Sequence, residues 1–313
     1  MPFFGLFGRR KKPPEPSEPL PADDELTPLD VEQAAYLRRL VRDGLGRRGI
    51  EGEVFPGHVV TADHQLGLHN LAKTVAPEDP ADWPALVEHH LELMLAPSGA
   101  DEMSEEHLRH AVYARLAEDS PQLREMFPDA REVAPGLLLV LCIDYPERVA
   151  TVAQSFYEER GGLAQWWVIG LGNLRRLLQT EHIDRYQMGE DSPLPRFDIV
   201  EGESVYTASL AVALPDLLGH FGQIDLGRGV LVAVPDRKRI VLRVVEGAEA
   251  LPAIGEMAKI AHAAHAGSAG PLSPHVYLVD ATGWHQLTSI QDTTISVLLG
   301  EESVRAFDLD DRG

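Results

Sequence analysis

Thirteen histidines invite a metal hypothesis. His107 and His110 stand three apart, a spacing that puts two imidazoles on one helix face with Glu106 or Glu102 beside them. His262 and His265 repeat the spacing in an alanine-rich stretch, His64 and His69 bracket a predicted helix start, and His89 and His90 are adjacent. Rings like these, joined by acids from other segments, hold zinc or manganese and activate a water. No pair falls in the H-E-x-x-H arrangement that delivers two ligands and a general base together. A metal centre would therefore have to be assembled from separate segments, and solvated or capping histidines account for the same pattern. His107 and His110 are the metal candidates.

Asp144 and Asp236 are the catalytic candidates, because each follows an apolar strand pattern and strand ends often present functional groups. Both residues also suit ordinary turns. Cys142 lies inside the most apolar stretch, where desolvation should raise its pKa and blunt its nucleophilicity. Ser204 and Ser209 lie in no G-x-S-x-G elbow, and Ser204 reads as a helix cap. Gly170-Leu171-Gly172 begins like a dinucleotide fingerprint, but Arg175 occupies the place of the third glycine and the preceding residues read as helix. Its glycines are better explained by close helix packing, and no cofactor is expected. Trp166 and Trp167 read as core, with an exposed partner surface as the alternative.

The elements that must carry these residues follow from periodicity. Helices are predicted over 30–48, 65–75, 83–95, 104–117, 156–178, 204–221 and 250–266. Strands are predicted over 52–55, 58–61, 137–142, 149–154, 182–187 and 196–200. A hairpin joins 229–235 to 239–245, a second joins 276–280 to 286–290 across Ala281-Thr282-Gly283, and a last strand covers 294–299. Leu137–Cys142 is continuously apolar, the profile of a strand covered on both faces. Residues 1–28 hold six prolines between Pro13 and Pro28 and read as an extended, disordered tail. A mainly helical region, 29–130, then precedes a mixed region, 131–313, and 29–313 is compatible with one domain. Hairpins mixed with helices predict an α+β fold, a helical N-terminal region packed with an antiparallel-rich sheet region.

Composition excludes more than it proposes. A hydrophobic fraction of 44% and a charged fraction of 25% are ordinary for a globular chain. Nothing resembles a spanning run of about 18 apolar residues. The N-terminus places its apolar residues before its basic ones, the reverse of a secretory signal. A single cysteine permits no internal disulfide, which fits a reducing, cytoplasmic setting. Net charge is −21, and Arg9, Arg10, Lys11 and Lys12 are alone in an acid-free first dodecapeptide. Leaving those four out puts −25 on residues 13–313, a surface that repels phosphate backbones. Nucleic-acid binding is not expected. Phe3 to Lys12 reads as a frayed terminus, with a membrane-surface anchor as the alternative. The wealth of Ala, Leu, Arg, Gly and Pro suggests a GC-rich bacterial genome.

Three segments carry a resemblance: Gly172-Asn173-Leu174, then Gly202-Glu203-Ser204-Val205-Tyr206-Thr207-Ala208-Ser209, then Gly229-Val230-Leu231-Val232-Ala233-Val234-Pro235-Asp236. Their order resembles the uncharacterised bacterial proteins of the YtpQ type, with an Asn-Leu helix end, a Tyr-x-Ala-Ser segment and a Gly-x-Leu-x-x-x-Val-Pro strand. Leu68-His69-Asn70-Leu71-Ala72 is similar to that family's N-terminal pattern. The likeness covers mainly residues 160–245 and implies no activity, cofactor or catalytic residue. The sequence alone therefore points to a non-catalytic protein-interaction or regulatory module with another protein as partner. Its rivals are a metal-assisted hydrolase built from dispersed His and Asp, and peripheral membrane association through the tail.

Overall fold

Contacts along the backbone divide the chain into two compact units, Met1–Leu91 and Glu92–Gly313, in a computed structural model that describes residues 20–61, 65–95, 103–146, 148–189, 195–223, 225–291 and 294–309. Among those residues every paired strand is antiparallel, and the fold is α+β. No described helix is long and apolar enough to cross a membrane.

In the first unit, α1 (Val31–Arg47) starts at Asp30, whose carboxylate accepts from the Glu32 and Gln33 amides while the Gln33 side chain reaches back, a reciprocal capping box. Strands β1 (Gly52–Val54), β2 (His58–Thr61) and β3 (Gln65–Gly67) form a small meander. Helix α2 (His69–Val75) follows, so the predicted helix over 65–75 begins four residues late: Gln65–Gly67 is taken by pairing with β2. Helix α3 (Trp83–Leu95) approaches α1 at Gly44, where a methyl group would lie 2.5 Å from Leu91 Cδ1. Arg38 binds Asp23 through two nitrogens at 2.8 and 2.9 Å, and Glu88 accepts from Arg47 and Arg48.

The second unit opens with α4 (Glu105–Ala111), capped by Ser104. The single helix expected over 104–117 is overturned here, because Val112–Glu118 is strand β4. Leu108, Val112 and Leu116 fit a helical stripe, but Val112, Ala114 and Leu116 also alternate, and a full-length partner strand decides for the period of two. Helix α5 (Pro121–Met126) and strand β5 (Arg131–Ala134) follow. Strand β6 (Leu137–Asp144) pairs along one edge with β4, and along the other with β5 and then β7 (Val149–Thr151). Residues 137–143 are all buried, as the apolar run predicts.

The long helix expected over 156–178 is split into α6 (Gln154–Glu158) and α7 (Leu163–Thr180). Gly161 and Gly162 both sit at φ +95°, outside the helical region. A six-stranded sheet then forms in the order β13-β12-β10-β11-β9-β8, from β8 (Ile183–Met188), β9 (Phe197–Gly202), β10 (Val230–Asp236), β11 (Arg239–Val244), β12 (Val276–Asp280) and β13 (Gly283–Gln286). Between β9 and β10 the expected helix over 204–221 resolves into a 3₁₀ helix, Thr207–Ala213, and α8 (Leu214–His220). Pro215, with no amide to give the preceding turn, marks the break. The second hairpin turns back earlier than expected. β12 turns back through Gly283–Gln286, and β14 (Thr288–Gln291) pairs with β15 (Thr294–Val297) instead. Helix α10 (Glu301–Ala306) is the last described helix.

The central strands of the six-stranded sheet are buried on both faces. Leu231, Ala233, Val241, Val276 and Leu278 meet α9 (Leu251–Gly267) through Ile254, Met257 and Ala258. Val230, Val232, Val234, Ile240 and Leu242 point the other way, into a larger core shared with α7, α8, the 3₁₀ helix and the β4–β6 pair.

Gly170 explains how closely α7 approaches that pair. A methyl group there would lie 2.8 Å from Leu141 Cδ2 and 2.9 Å from the Ala114 amide nitrogen. Backbone cannot step aside, so Gly170→Ala should cost about 1–3 kcal/mol of overpacking. Gly172, two residues along, meets nothing within 4 Å. Gly172→Ala should instead stabilise by up to about 1 kcal/mol, the helix-propensity gain. Urea unfolding of the two variants, with unchanged slope and midpoints shifted in opposite directions, checks both signs.

Candidate functional site

The outer edge of β4 organises a polar hub. Its backbone groups face away from β6 and need partners. Asn173, buried on α7, donates through Nδ2 to the carbonyls of Arg109 (2.8 Å) and Val112 (2.7 Å). Ser209, buried in the 3₁₀ helix, accepts from the Leu116 amide at 2.9 Å. The neighbouring Ala208 amide donates to the Arg237 carbonyl at 3.0 Å, which ties the β10–β11 turn to the same point. Tyr206, at the start of that helix, stacks on Tyr113 of β4 with ring centres 4.5 Å apart and donates its hydroxyl to Asp144 Oδ1 at 3.0 Å. Asn173 and the Tyr206–Ser209 segment thus act as ties between elements.

Around these ties lie Cys142, Asp144, Arg115 and Arg237. Cys142 is sealed, its Sγ 3.4 Å from the Tyr113 carbonyl oxygen and 3.9 Å from Tyr206 Oη. Burial pushes its thiol pKa up, and the nearby Arg115 charge only partly opposes this. Asp144 stands exposed at the end of β6, yet desolvation on its inner side raises its carboxyl pKa against the Tyr206 hydrogen bond and the Arg115 charge. The Tyr206 phenol is pushed well above its usual range, chiefly by burial and then by Cys142 and Asp144. Arg237 is drawn down to about 10, first by burial and then by repulsion from Arg115, and remains a cation at neutral pH.

The other predicted residues are not brought into this hub. Asp236 is a turn residue: Oδ1 accepts from the Lys238 amide at 2.9 Å. Ser204 closes a local turn by accepting from the Tyr206 amide at 3.2 Å. His107 and His110 are both exposed on α4, and among the described residues no three His, Cys, Asp or Glu side chains gather to hold a metal ion. His89 is exposed and His90 half-buried on α3, the latter's pKa lowered by desolvation and then by His89. His69 begins α2, exposed. His262 and His265 are half-buried on α9. His64, Glu102 and the basic segment Phe3 to Lys12 lie outside the described residues. Both tryptophans are buried, which removes the exposed-surface alternative for either ring: Arg131 lies 4.1 Å over Trp167, and Trp166 Nε1 donates to the Arg160 carbonyl at 2.9 Å.

A second constellation, absent from the sequence reading, joins Asp280, Thr282 and His285 on the β12–β13 turn. Thr282 Oγ1 is 2.8 Å from His285 Nε2, and Asp280 Oδ1 is 3.3 Å from that same nitrogen. A hydrolytic relay needs the carboxylate on the other ring nitrogen. Asp280 also accepts from the Thr282 and Gly283 amides at 2.7 and 3.2 Å, so the group is a turn network. Beside it Arg228, Glu302 and Arg305 line a cleft of about 260 Å³, and a cleft of about 430 Å³ lies between α7 and α8, lined by Arg175, Arg176, Gln179, Asp216 and His220.

Comparisons with known protein families, with curated proteins and with solved structures give no match.

Three outcomes follow from the hub. Tyr206→Phe removes the hydrogen bond that favours the Asp144 carboxylate, so the Asp144 pKa should rise further, read by carboxyl carbon NMR through an acid titration. Because burial already holds that pKa above its unfolded value, Asp144 favours the fold most at pH below its unfolded pKa, and this contribution is lost as pH rises through the folded pKa. Asp144→Asn should accordingly flatten stability across that window. Cys142, for its part, should resist a thiol reagent such as DTNB in the native protein and react at once in denaturant. Rapid native labelling would contradict its sealed position.

Proposed function

We propose that this chain is a non-catalytic module that acts by binding another protein, in an interaction or regulatory role. One observation carries the reading. Val297, Leu298 and Leu299 are consecutive large aliphatic residues, 46%, 46% and 48% exposed, on and just beyond β15. Among the described residues β15 pairs only with β14. An open strand edge offers amides and carbonyls to an incoming extended segment, and a flanking apolar patch supplies the burial that makes such pairing stable.

The neighbouring Glu301 and Glu302, on a chain of net charge −21, favour a basic partner segment over an acidic one. The disposition of the reactive residue types supports the same reading. Cys142 is sealed, Asp144 and Asp236 take part in structural hydrogen bonds, and the exposed His107 and His110 stand apart from the acids of the hub.

A photo-crosslinking residue at position 298 of the full chain should capture one discrete protein in cells. Val297→Asp combined with Leu299→Asp should abolish that capture and shift unfolding by no more than about 0.5 kcal/mol, the range of surface substitutions. Stoichiometric zinc or manganese in the purified protein, lost with hydrolytic activity on replacing His107 and His110, would overturn the reading in favour of a metal-assisted hydrolase.

A further inference from the structure

Arg115 and Arg237 are set apart from the other partly buried arginines. Arg38, Arg48, Arg185 and Arg239 each meet a carboxylate, at 2.8, 2.6, 2.8 and 2.5 Å. Arg115 and Arg237 are half-buried, and neither side chain makes a hydrogen bond or ion pair with a described residue. In both, Nε–H is buried without an acceptor among the described residues; Arg185 shares this at Nε, but its Nη2 pairs with Asp198 at 2.8 Å. This happens in a chain with 49 acidic and 28 basic side chains, where carboxylates are plentiful. Leaving a buried donor on a cation unmatched is costly unless something supplies an oxygen.

The two residues flank one point. Arg237 is held by the Ala208 amide through its carbonyl, and Arg115 precedes Leu116, whose amide is held by Ser209. Ala208 and Ser209 are consecutive. Asp144, whose carboxylate feels the Arg115 charge, has its Oδ1 engaged by Tyr206. Gly270 leaves room for the Arg237 stem: a methyl group there would lie 3.0 Å from Cδ and 3.1 Å from Nε. Burial and then repulsion from Arg115 act on Arg237, so the two like charges lie near one another.

We propose that Arg115 and Arg237 form a binding site for a small oxyanion, the carboxylate or phosphate of a metabolite, where β4, the β10–β11 turn and the 3₁₀ helix meet. Guanidinium forks match both oxyanions bidentately, and an anion between them offsets their repulsion. The β15 margin lies on separate elements, so crosslinking at position 298 can succeed or fail without bearing on this site.

The test titrates the full-length protein with sodium phosphate and, separately, sodium succinate, each against sodium chloride of equal ionic strength, followed by thermal unfolding and calorimetry. Saturable one-to-one binding of at least one oxyanion is expected, with phosphate or succinate preference identifying the group recognised. Affinity should fall about 10- to 100-fold in Arg115→Met and in Arg237→Met, the loss of a charged hydrogen bond. Gly270→Ala, which displaces the Arg237 stem without removing charge, should weaken binding as well. Arg115→Lys keeps the charge but loses the fork, and should also bind more weakly if a methionine variant misfolds. The inference is overturned if neither oxyanion exceeds chloride in the wild-type protein, or if both arginine variants bind at full affinity.

Discussion

An antiparallel strand with one partner has an unanswered edge, and β4 is such a strand placed deep in the second unit. Every amide and carbonyl on that edge must find a partner or forfeit a desolvation penalty of about 1–3 kcal/mol each. Asn173 and Ser209 answer it, at Val112 and Leu116. Answering it fixes the position of two other elements. Gly170 lets α7 come close enough for Asn173 to reach, and the 3₁₀ helix is drawn in by Ser209. With the 3₁₀ helix in place, Tyr206 meets Asp144 and Ala208 meets the β10–β11 turn. The hub is thus a consequence of satisfying one strand edge.

The same ties set the electrostatics. Pulling Tyr206, Cys142 and the inner side of Asp144 away from water raises all three pKa values, so at neutral pH the tyrosine and cysteine are uncharged. Arg237 remains a cation beside the Arg115 guanidinium. The surface of the chain is strongly acidic, yet this interior junction is locally basic, a contrast invisible to a net-charge argument.

Parts of this were legible in residue order. The unbroken apolar run of β6 reads as a strand covered on both faces, and the 229–245 hairpin follows from two apolar runs around Asp236-Arg237-Lys238. The burial of Cys142 and of both tryptophans follows from the apolar company they keep. Other parts were not legible because two periods competed. Val112-Tyr113-Ala114-Arg115-Leu116 fits a helix through one pair of residues and a strand through another, and Arg115 reads as an ordinary solvated helix residue until the strand is known. Tyr206 and Asn173 stood out only as motif letters. Nothing local says that a tyrosine hydroxyl will meet a carboxylate 62 residues away, or that an amide will cap a strand 61 residues away.

By itself the sequence determined the α+β class, the acidic surface, the central strand and the turn chemistry, because composition, apolar periodicity and the conformational limits of glycine and proline act within a few residues. Tertiary structure alone decided which strand accompanies β6 and which polar side chains meet. Those outcomes depend on contacts between segments far apart in the chain. There the need to pair buried backbone groups outweighs local preference, and a single partner strand changes the period in which a whole segment is read.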